Sequence, residues 1–132
     1  MADLRSTITR VEGPLPTRIV LIEDDADVSR SLALFLRARG AMVEIYKDGR
    51  AFLLNHTEHS GHCILSDYKM PLLDGLELIR RLRALGDTTP AIMITGYYSN
   101  TLKARAIEAG YTDVLEKPTP PDILMQRISA LT

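Results

Sequence analysis

Asp67 is the residue whose type and position point most directly to chemistry. It follows the short apolar run of residues 63–65 and precedes a loop that contains Pro71. A carboxylate that follows a buried strand is presented at the edge of the sheet, where open α/β folds keep their functional groups. A carboxylate in that position can act as a nucleophile and form an aspartyl-phosphate.

Other polar groups share this placement, because each stands at the end of a predicted strand: the acids Glu23 and Asp24, the hydroxyl of Thr95 and the amine of Lys117. The carboxyl ends of parallel strands meet at one edge of a sheet. We therefore expect these groups to converge on Asp67 at a single rim.

The three acids predict a metal site. If the first and third strands are neighbours, Glu23, Asp24 and Asp67 lie close together, and their carboxylates repel one another unless a cation intervenes. Oxygen-only ligands suit Mg²⁺, which takes one or two carboxylates together with a phosphate oxygen. Such an ion neutralises charge on a transferring phosphoryl group. Lys117 would then contact one phosphate oxygen as a point charge, and Thr95 would donate its hydroxyl to another.

The elements that must position these groups are strands and helices in alternation. Apolar and β-branched runs predict strands at residues 19–22, 42–46, 63–65, 91–94 and 113–116. A helix is predicted after each strand. The first ends at Gly40 and has Val28, Leu32, Phe35 and Leu36 on one face, the second covers residues 49–56, and the third has Leu78, Leu82 and Leu85 on one face. The fourth covers about residues 100–109, and the last carries Leu124, Ile128 and Leu131. The alternation predicts an α/β fold, a doubly wound five-stranded parallel sheet with helices on both faces, (βα)5.

Length and composition limit the function further. A chain of 132 residues with 45% apolar and 25% charged residues is typical of one globular domain. A net charge of -1 gives no electrostatic reason to expect nucleic-acid or membrane binding. Cys63 is the only cysteine, which excludes an internal disulfide and favours a cytoplasmic location. Residues 1–17 mix charges, threonines and prolines and are predicted to form a flexible N-terminal leader, before a domain over residues 18–132.

Taken in order, the polar motifs resemble the receiver domain of two-component response regulators over about residues 18–131. Each motif alone is weak, but each follows a predicted strand, and the ordered set is specific: Glu23-Asp24, Asp67, Met70-Pro71, Asp74-Gly75, Thr95 and Lys117-Pro118. The resemblance implies a flavodoxin-like strand order, 2-1-3-4-5, and a phosphoacceptor switch rather than an enzyme with sustained turnover.

The resemblance also implies partners and roles. A sensor histidine kinase or a phosphotransfer protein would pass its phosphoryl group to Asp67, with Mg²⁺ held by Asp24, Asp67 and the backbone carbonyl of Lys69, and with Glu23 acting through water. Phosphorylation would change the surface of the fourth helix, fifth strand and fifth helix, and so control an unidentified protein or a second copy of the chain. Because the chain ends with its fifth helix, a stand-alone receiver without direct nucleic-acid binding is expected.

The sequence departs from the family pattern at Val114 and Gly96, and two further residues bear on the lifetime of the phosphoryl group. Val114 stands where the family usually has Tyr or Phe, which argues against signalling by rotation of an aromatic ring. Gly96 stands where Ala is common and could loosen the following loop. Lys69 and Tyr97 occupy positions that tune the access of water to the acyl phosphate in the family, and the bulk of Tyr97 predicts slow autodephosphorylation.

Two other functions remain open at this level. A small phosphohydrolase with an aspartyl-phosphate intermediate, similar to haloacid dehalogenases, would need a second aspartate where this chain has Lys69. A phosphorylation-independent interaction module of the same fold is weakly favoured by Val114 alone.

Several other residues are assigned structural roles. Asp25 or Asp27 is expected to cap the first helix, and Cys63 to lie in the core. We expect a solvated loop around His56, His59 and His62 rather than a zinc site, a solvated helix face at Arg80, Arg81 and Arg83, and an exposed partner surface at Tyr97-Tyr98.

Overall fold

The computed structural model describes residues 17–56 and 63–131. Within these ranges five strands alternate with five helices: β1 (Arg18–Ile22), α1 (Ala26–Ala38), β2 (Met42–Tyr46), α2 (Gly49–Leu54), β3 (Cys63–Ser66), α3 (Gly75–Ala84), β4 (Ala91–Thr95), α4 (Asn100–Ala109), β5 (Asp113–Glu116) and α5 (Pro121–Leu131). The predicted alternation is confirmed. The leader predicted for residues 1–17 lies outside the described residues except for Thr17, and it stays a prediction.

The strands form one parallel sheet in the order β2-β1-β3-β4-β5. This confirms the predicted flavodoxin-like order. Ile22 of β1 is paired with Ser66 of β3, and Thr95 of β4 with Glu116 of β5. The residues that follow these strands therefore leave the sheet at the same edge, as the sequence predicted.

The core lies on both faces of the sheet, and β1 shows why. Ile19 and Leu21 belong to a buried cluster with residues of α1 and α5, whereas Val20 and Ile22 belong to a second cluster with residues of α2, α3 and α4. Successive side chains of a strand point to opposite faces, so a strand covered on both sides is apolar throughout. Cys63 is fully buried, as predicted, and burial raises the pKa of its thiol to about 12.

The helices begin where short polar residues cap them. The Asp25 carboxylate accepts hydrogen bonds from the backbone N–H groups of Asp27 and Val28, at 2.9 and 3.2 Å. Asp74 does the same for Glu77 at the start of α3. Each cap satisfies backbone donors that have no partner inside the helix. The expectation of a cap at Asp25 or Asp27 is confirmed, with Asp25 as the cap.

Some structural expectations were wrong. Leu85 was expected on the same face of the third helix as Leu78 and Leu82, but α3 ends at Ala84 and Leu85 is 61% exposed. Arg83 is not on a solvated face, because its guanidinium donates to the backbone carbonyls of Gly110 and Asp87. His56 is not solvated either. Its Nε2 lies 2.7 Å from the Asp87 carboxylate, and only 13% of its side chain is exposed.

His59 and His62 lie outside the described residues, so the expectation of a solvated loop there stays a prediction. In the part of the chain that the structure covers, no helix combines the length and apolar character needed to cross a bilayer.

Candidate functional site

The acids of the site are brought together by the register of β1 and β3. Asp67 directly follows β3, and its backbone N–H donates to the carbonyl of Ile22 at 3.2 Å. This bond places the start of the Asp67 loop beside the end of β1, where Glu23 and Asp24 follow. One carboxylate oxygen from each of Glu23, Asp24 and Asp67 lies within 4.8 Å of the other two. The convergence expected from the strand ends is present.

Lys117 reaches this cluster from the end of β5, the edge strand on the other side of β4. Its backbone N–H donates to the carbonyl of Thr95, which fixes the segment after β5 against the end of β4. Its ammonium donates to Asp67 Oδ2 at 2.8 Å and to Glu23 Oε1 at 3.0 Å. One cation is thus shared between two of the three acids.

The electrostatics of the site are dominated by burial and by this sharing. Glu23 is 6% exposed, and burial raises its pKa above the ordinary value, although hydrogen bonds from Lys117 and from the Asp25 backbone act in the opposite direction. Burial acts to lower the pKa of Lys117, but hydrogen bonds to Asp67 and Glu23 outweigh it and raise that pKa. Lys117 is therefore charged at neutral pH, and it offsets part of a concentrated negative charge.

The Asp67 carboxylate is oriented from both sides. Its Oδ1 accepts a hydrogen bond from the backbone N–H of Tyr68 at 2.6 Å, while Oδ2 receives Lys117. The loop that carries it is closed by the Gly75 N–H, which donates to the carbonyl of Tyr68 at 2.8 Å. The side chain is 12% exposed. It is thus accessible yet held in one direction, as a nucleophile must be.

Thr95 lies at the same sheet edge and is fully buried. Its hydroxyl oxygen accepts a hydrogen bond from the backbone N–H of Tyr97 at 3.0 Å. Thr95 therefore ties the end of β4 to the loop that leads into α4. A pull on its hydroxyl would act on that loop.

Lys69, two residues after Asp67, lies between two aromatic rings. Its ammonium lies 5.7 Å from the centre of the Tyr68 ring and 5.5 Å from that of Tyr97, within the range of cation–π attraction. Tyr97 is 62% exposed, whereas Tyr98 is half-buried and packs against the core. Of the pair expected to form a partner surface, Tyr97 has the exposed ring.

A groove of about 700 Å³ opens beside Asp67, between α1 and α5. Its walls are mainly apolar and include Leu32, Phe35 and Leu124, whereas its end toward the sheet edge is formed by Glu23, Asp67 and Lys117. The groove therefore places an apolar surface next to Glu23 and Asp67.

The donor set fits Mg²⁺. Three carboxylates that offer only oxygen, close enough to share one ion, match the preference of this hard cation, and no nitrogen or sulfur ligand is among them.

Sequence reasoning missed two residues that shape the site. Tyr111 is buried, and its hydroxyl donates to the carbonyl of Gly75 at 2.9 Å. The Ser66 hydroxyl donates to the carbonyl of Asp67, also at 2.9 Å. Only the position of Ser66 next to Asp67 is visible in the sequence, and no local pattern links residue 111 to residue 75.

Comparison with known proteins gives consistent results. The family model described as "Response regulator receiver domain" matches residues 19–129. Response regulator MprA of Mycolicibacterium vanbaalenii is 36% identical over 117 residues, which cover 89% of this chain and 51% of that protein. Transcriptional regulatory protein FixJ of Bradyrhizobium diazoefficiens is 37% identical over 112 residues, which cover 85% of this chain and 55% of that protein. The chain spans about half the length of the curated relatives it matches.

A solved receiver domain has the same fold as this chain. The receiver domain of the Francisella response regulator 1452 superposes with a TM-score of 0.80 at 27% sequence identity. The match covers 87% of this chain and 95% of that chain.

Proposed function

Because this chain belongs to the response regulator receiver domain family of two-component systems, we propose that it is a phosphorylation-activated switch with Asp67 as the acceptor. The observation that carries the proposal is the position of the Asp67 carboxylate. It lies within reach of two other acids, it is hydrogen-bonded to Lys117 at 2.8 Å, and it is oriented by a backbone N–H.

The reaction is a transfer of a phosphoryl group from a phosphohistidine. A carboxylate oxygen of Asp67 forms a bond to phosphorus while the bond between phosphorus and the imidazole nitrogen of the donor breaks. That nitrogen keeps the electron pair, takes up a proton and leaves as neutral imidazole. The product is an acyl phosphate on Asp67.

Glu23, Asp24 and Asp67, with the backbone carbonyl of Lys69, are the residues that would hold Mg²⁺. When bound, the ion supplies positive charge that offsets the negative charge of the phosphoryl group and of the acids. Glu23 would act through a water molecule. Burial raises the pKa of Glu23, so a cation close to its carboxylate would favour the charged form.

Lys117 and Thr95 would hold the phosphoryl group after transfer. Lys117 already donates to Asp67 Oδ2 and would contact a phosphate oxygen as a point charge. Thr95 would donate its hydroxyl to another phosphate oxygen. Because its oxygen also accepts from the Tyr97 N–H, movement of Thr95 would displace the loop before α4.

Signal output would follow from this displacement. A shift at the start of α4 changes the surface formed by α4, β5 and α5, and phosphorylation then biases the population of that surface. A downstream protein or a second copy of the chain would read it. The phosphodonor, a sensor histidine kinase or a phosphotransfer protein, would approach Asp67 along the apolar groove between α1 and α5.

Acetyl phosphate provides a direct test without a cognate kinase. Incubation with acetyl phosphate and Mg²⁺, followed by intact-mass analysis, should show one added phosphoryl group per chain. Asp67→Asn and EDTA should each abolish the addition. Asp27→Asn is the matched control, since this neighbouring acid is exposed in the first turn of α1, and it should be labelled like the wild type.

The same preparation distinguishes the alternatives. A phosphohydrolase would release phosphate from small phosphomonoesters over many turnovers, whereas a switch gives stoichiometric labelling. A phosphorylation-independent module would take no label at all. Size analysis before and after labelling would show whether the assembly state changes.

A further inference from the structure

Tyr111 is a buried aromatic residue that the proposed phosphoryl transfer does not use directly. It precedes β5, is 3% exposed, and belongs to the core cluster that α3 and α4 cover. Burial raises the pKa of its phenol well above the ordinary value. The hydroxyl therefore keeps its proton near neutral pH and can only act as a neutral donor or acceptor.

A continuous chain of three hydrogen bonds joins this hydroxyl to the Asp67 carboxylate. The Tyr111 hydroxyl donates to the Gly75 carbonyl at 2.9 Å, and the Gly75 N–H donates to the Tyr68 carbonyl at 2.8 Å. The Tyr68 N–H in turn donates to Asp67 Oδ1 at 2.6 Å. The direction of the carboxylate is thus connected through hydrogen bonds to a side chain in the turn between α4 and β5.

Close packing makes this connection stiff. A Cβ atom built on Gly75 would lie 2.5 Å from the Asp67 carbonyl oxygen and 3.2 Å from the Tyr111 hydroxyl oxygen. The Asp67 carbonyl also accepts a hydrogen bond from the Ser66 hydroxyl. Because a packed interior transmits displacement rather than absorbing it, a shift of the phenol has to move the loop.

The segment that carries Tyr111 is itself fastened to α3 at a second point. Arg83, near the end of α3, donates to the Gly110 carbonyl from Nε at 3.2 Å and from Nη2 at 2.8 Å. The turn between α4 and β5 is therefore held at both ends of α3, at Gly75 and at Arg83. The side chain of Val114, within β5, is apolar and cannot form a comparable hydrogen bond.

From this geometry we propose that Tyr111 is a positioning residue: through Gly75 and Tyr68, its hydroxyl sets the direction of the Asp67 carboxylate and couples it to the turn between α4 and β5. The part of this inference that concerns phosphorylation rests on the proposed function. The part that concerns the position of the loop does not.

The decisive variant is Tyr111→Phe, which keeps the buried ring and removes only the hydroxyl. Tyr46→Phe is the matched control, because it also removes one tyrosine hydroxyl, but from the edge strand β2, where that hydroxyl faces Glu44. Two measurements are made on the full chain. The first is backbone hydrogen exchange without metal or phosphodonor, and the second is the rate of labelling by acetyl phosphate with saturating Mg²⁺.

For Tyr111→Phe we expect faster exchange confined to residues 67–76 and 110–112, and labelling slower by about three- to tenfold, the range that the loss of one hydrogen bond gives when it is expressed in the transition state. Tyr46→Phe should change neither. A uniform rise in exchange with an unchanged labelling rate would mean that Tyr111 only supports the core, and would overturn the proposal.

The two proposals fail in different ways. If the wild type takes no label but exchange at residues 67–76 rises in Tyr111→Phe, the proposed function fails while Tyr111 still positions the loop. If the wild type is labelled and Tyr111→Phe matches it in both measurements, the positioning role is rejected and the proposed function stands.

Discussion

Replacement of Lys117 by methionine tests how the acids tolerate one another without metal. The ammonium of Lys117 lies 2.8 Å from Asp67 Oδ2 and 3.0 Å from Glu23 Oε1. Methionine keeps an unbranched side chain of comparable length but removes the charge. Glu23, which is 6% exposed, then has to stay ionised without its cation or take up a proton.

The magnitude follows from distance and exposure. At an effective dielectric constant of about 20, each charge pair at this distance is worth roughly 5–6 kcal/mol of gross Coulomb attraction. Desolvation cancels most of it, and 31% of the Lys117 side chain is exposed, so solvent screens what remains. We expect Lys117→Met to lower the unfolding free energy by about 1–3 kcal/mol at neutral pH in EDTA.

The loss should depend on pH, with a sign fixed by Glu23. Its folded-state pKa lies above the ordinary value, so its contribution to stability is present at acid pH and is lost as pH rises through that folded pKa. The hydrogen bond from Lys117 acts to lower this pKa, and removing it raises the pKa further. Lys117 itself stays charged across this range. The stability gap between wild type and variant should therefore be small near pH 4 and widest near pH 7.5.

Urea unfolding of both proteins at pH 4, 5.5 and 7.5, in EDTA, measures this gap. Lys47→Met is the matched control, because it removes the same charge from an exposed position, and it should show only a small change at every pH. A gap for Lys117→Met that is equal at pH 4 and pH 7.5, or a variant more stable than wild type at pH 7.5, would refute the stabilising role assigned to Lys117 beside buried Glu23.

Three further outcomes are expected. Gly75→Ala should lower the unfolding free energy by about 1–3 kcal/mol, because the new Cβ would lie 2.5 Å from the Asp67 carbonyl oxygen. Gly96→Ala should be tolerated, because a Cβ at that position has no neighbour within 4 Å. Equal urea midpoints for the two variants would contradict this expectation. Tyr97→Ala should shorten the lifetime of the acyl phosphate, measured as phosphate release after removal of the donor, since the Tyr97 ring lies 5.5 Å from the ammonium of Lys69, two residues after Asp67. Equal lifetimes would reject shielding. Cys63, with its pKa raised to about 12 by burial, should resist iodoacetamide at pH 8 until urea unfolds the chain; native alkylation at the unfolded rate would exclude this burial.

The fold was predictable because each strand carries its own signal. The run at residues 19–22 is apolar at every position, which indicates a strand covered on both faces, and the structure gives it partners on both. The same logic brought the acids together. Once β1 and β3 are neighbours, the pairing of Ile22 with Ser66 requires that Glu23 and Asp67 emerge side by side.

The remaining features depend on contacts between distant parts of the chain. His56 and Asp87 form a pair across 31 residues, and Arg83 reaches Gly110 across 27. No periodic pattern or motif in the sequence indicates either contact. Arg83 was taken for a solvated residue because its neighbours on α3 are charged. Leu85 was placed on the same helix face as Leu82 because its spacing fits, but the helix ends one residue before it.

The position of the phosphoryl group is the most direct test of the central claim. After labelling with acetyl phosphate and Mg²⁺, treatment with borohydride reduces an acyl phosphate to an alcohol and so converts the modified aspartate to homoserine. Peptide mass mapping then identifies the residue. The account predicts homoserine at position 67 in the wild type, and none there when EDTA replaces Mg²⁺. Conversion at another acid, or labelling that persists in Asp67→Asn, would contradict it.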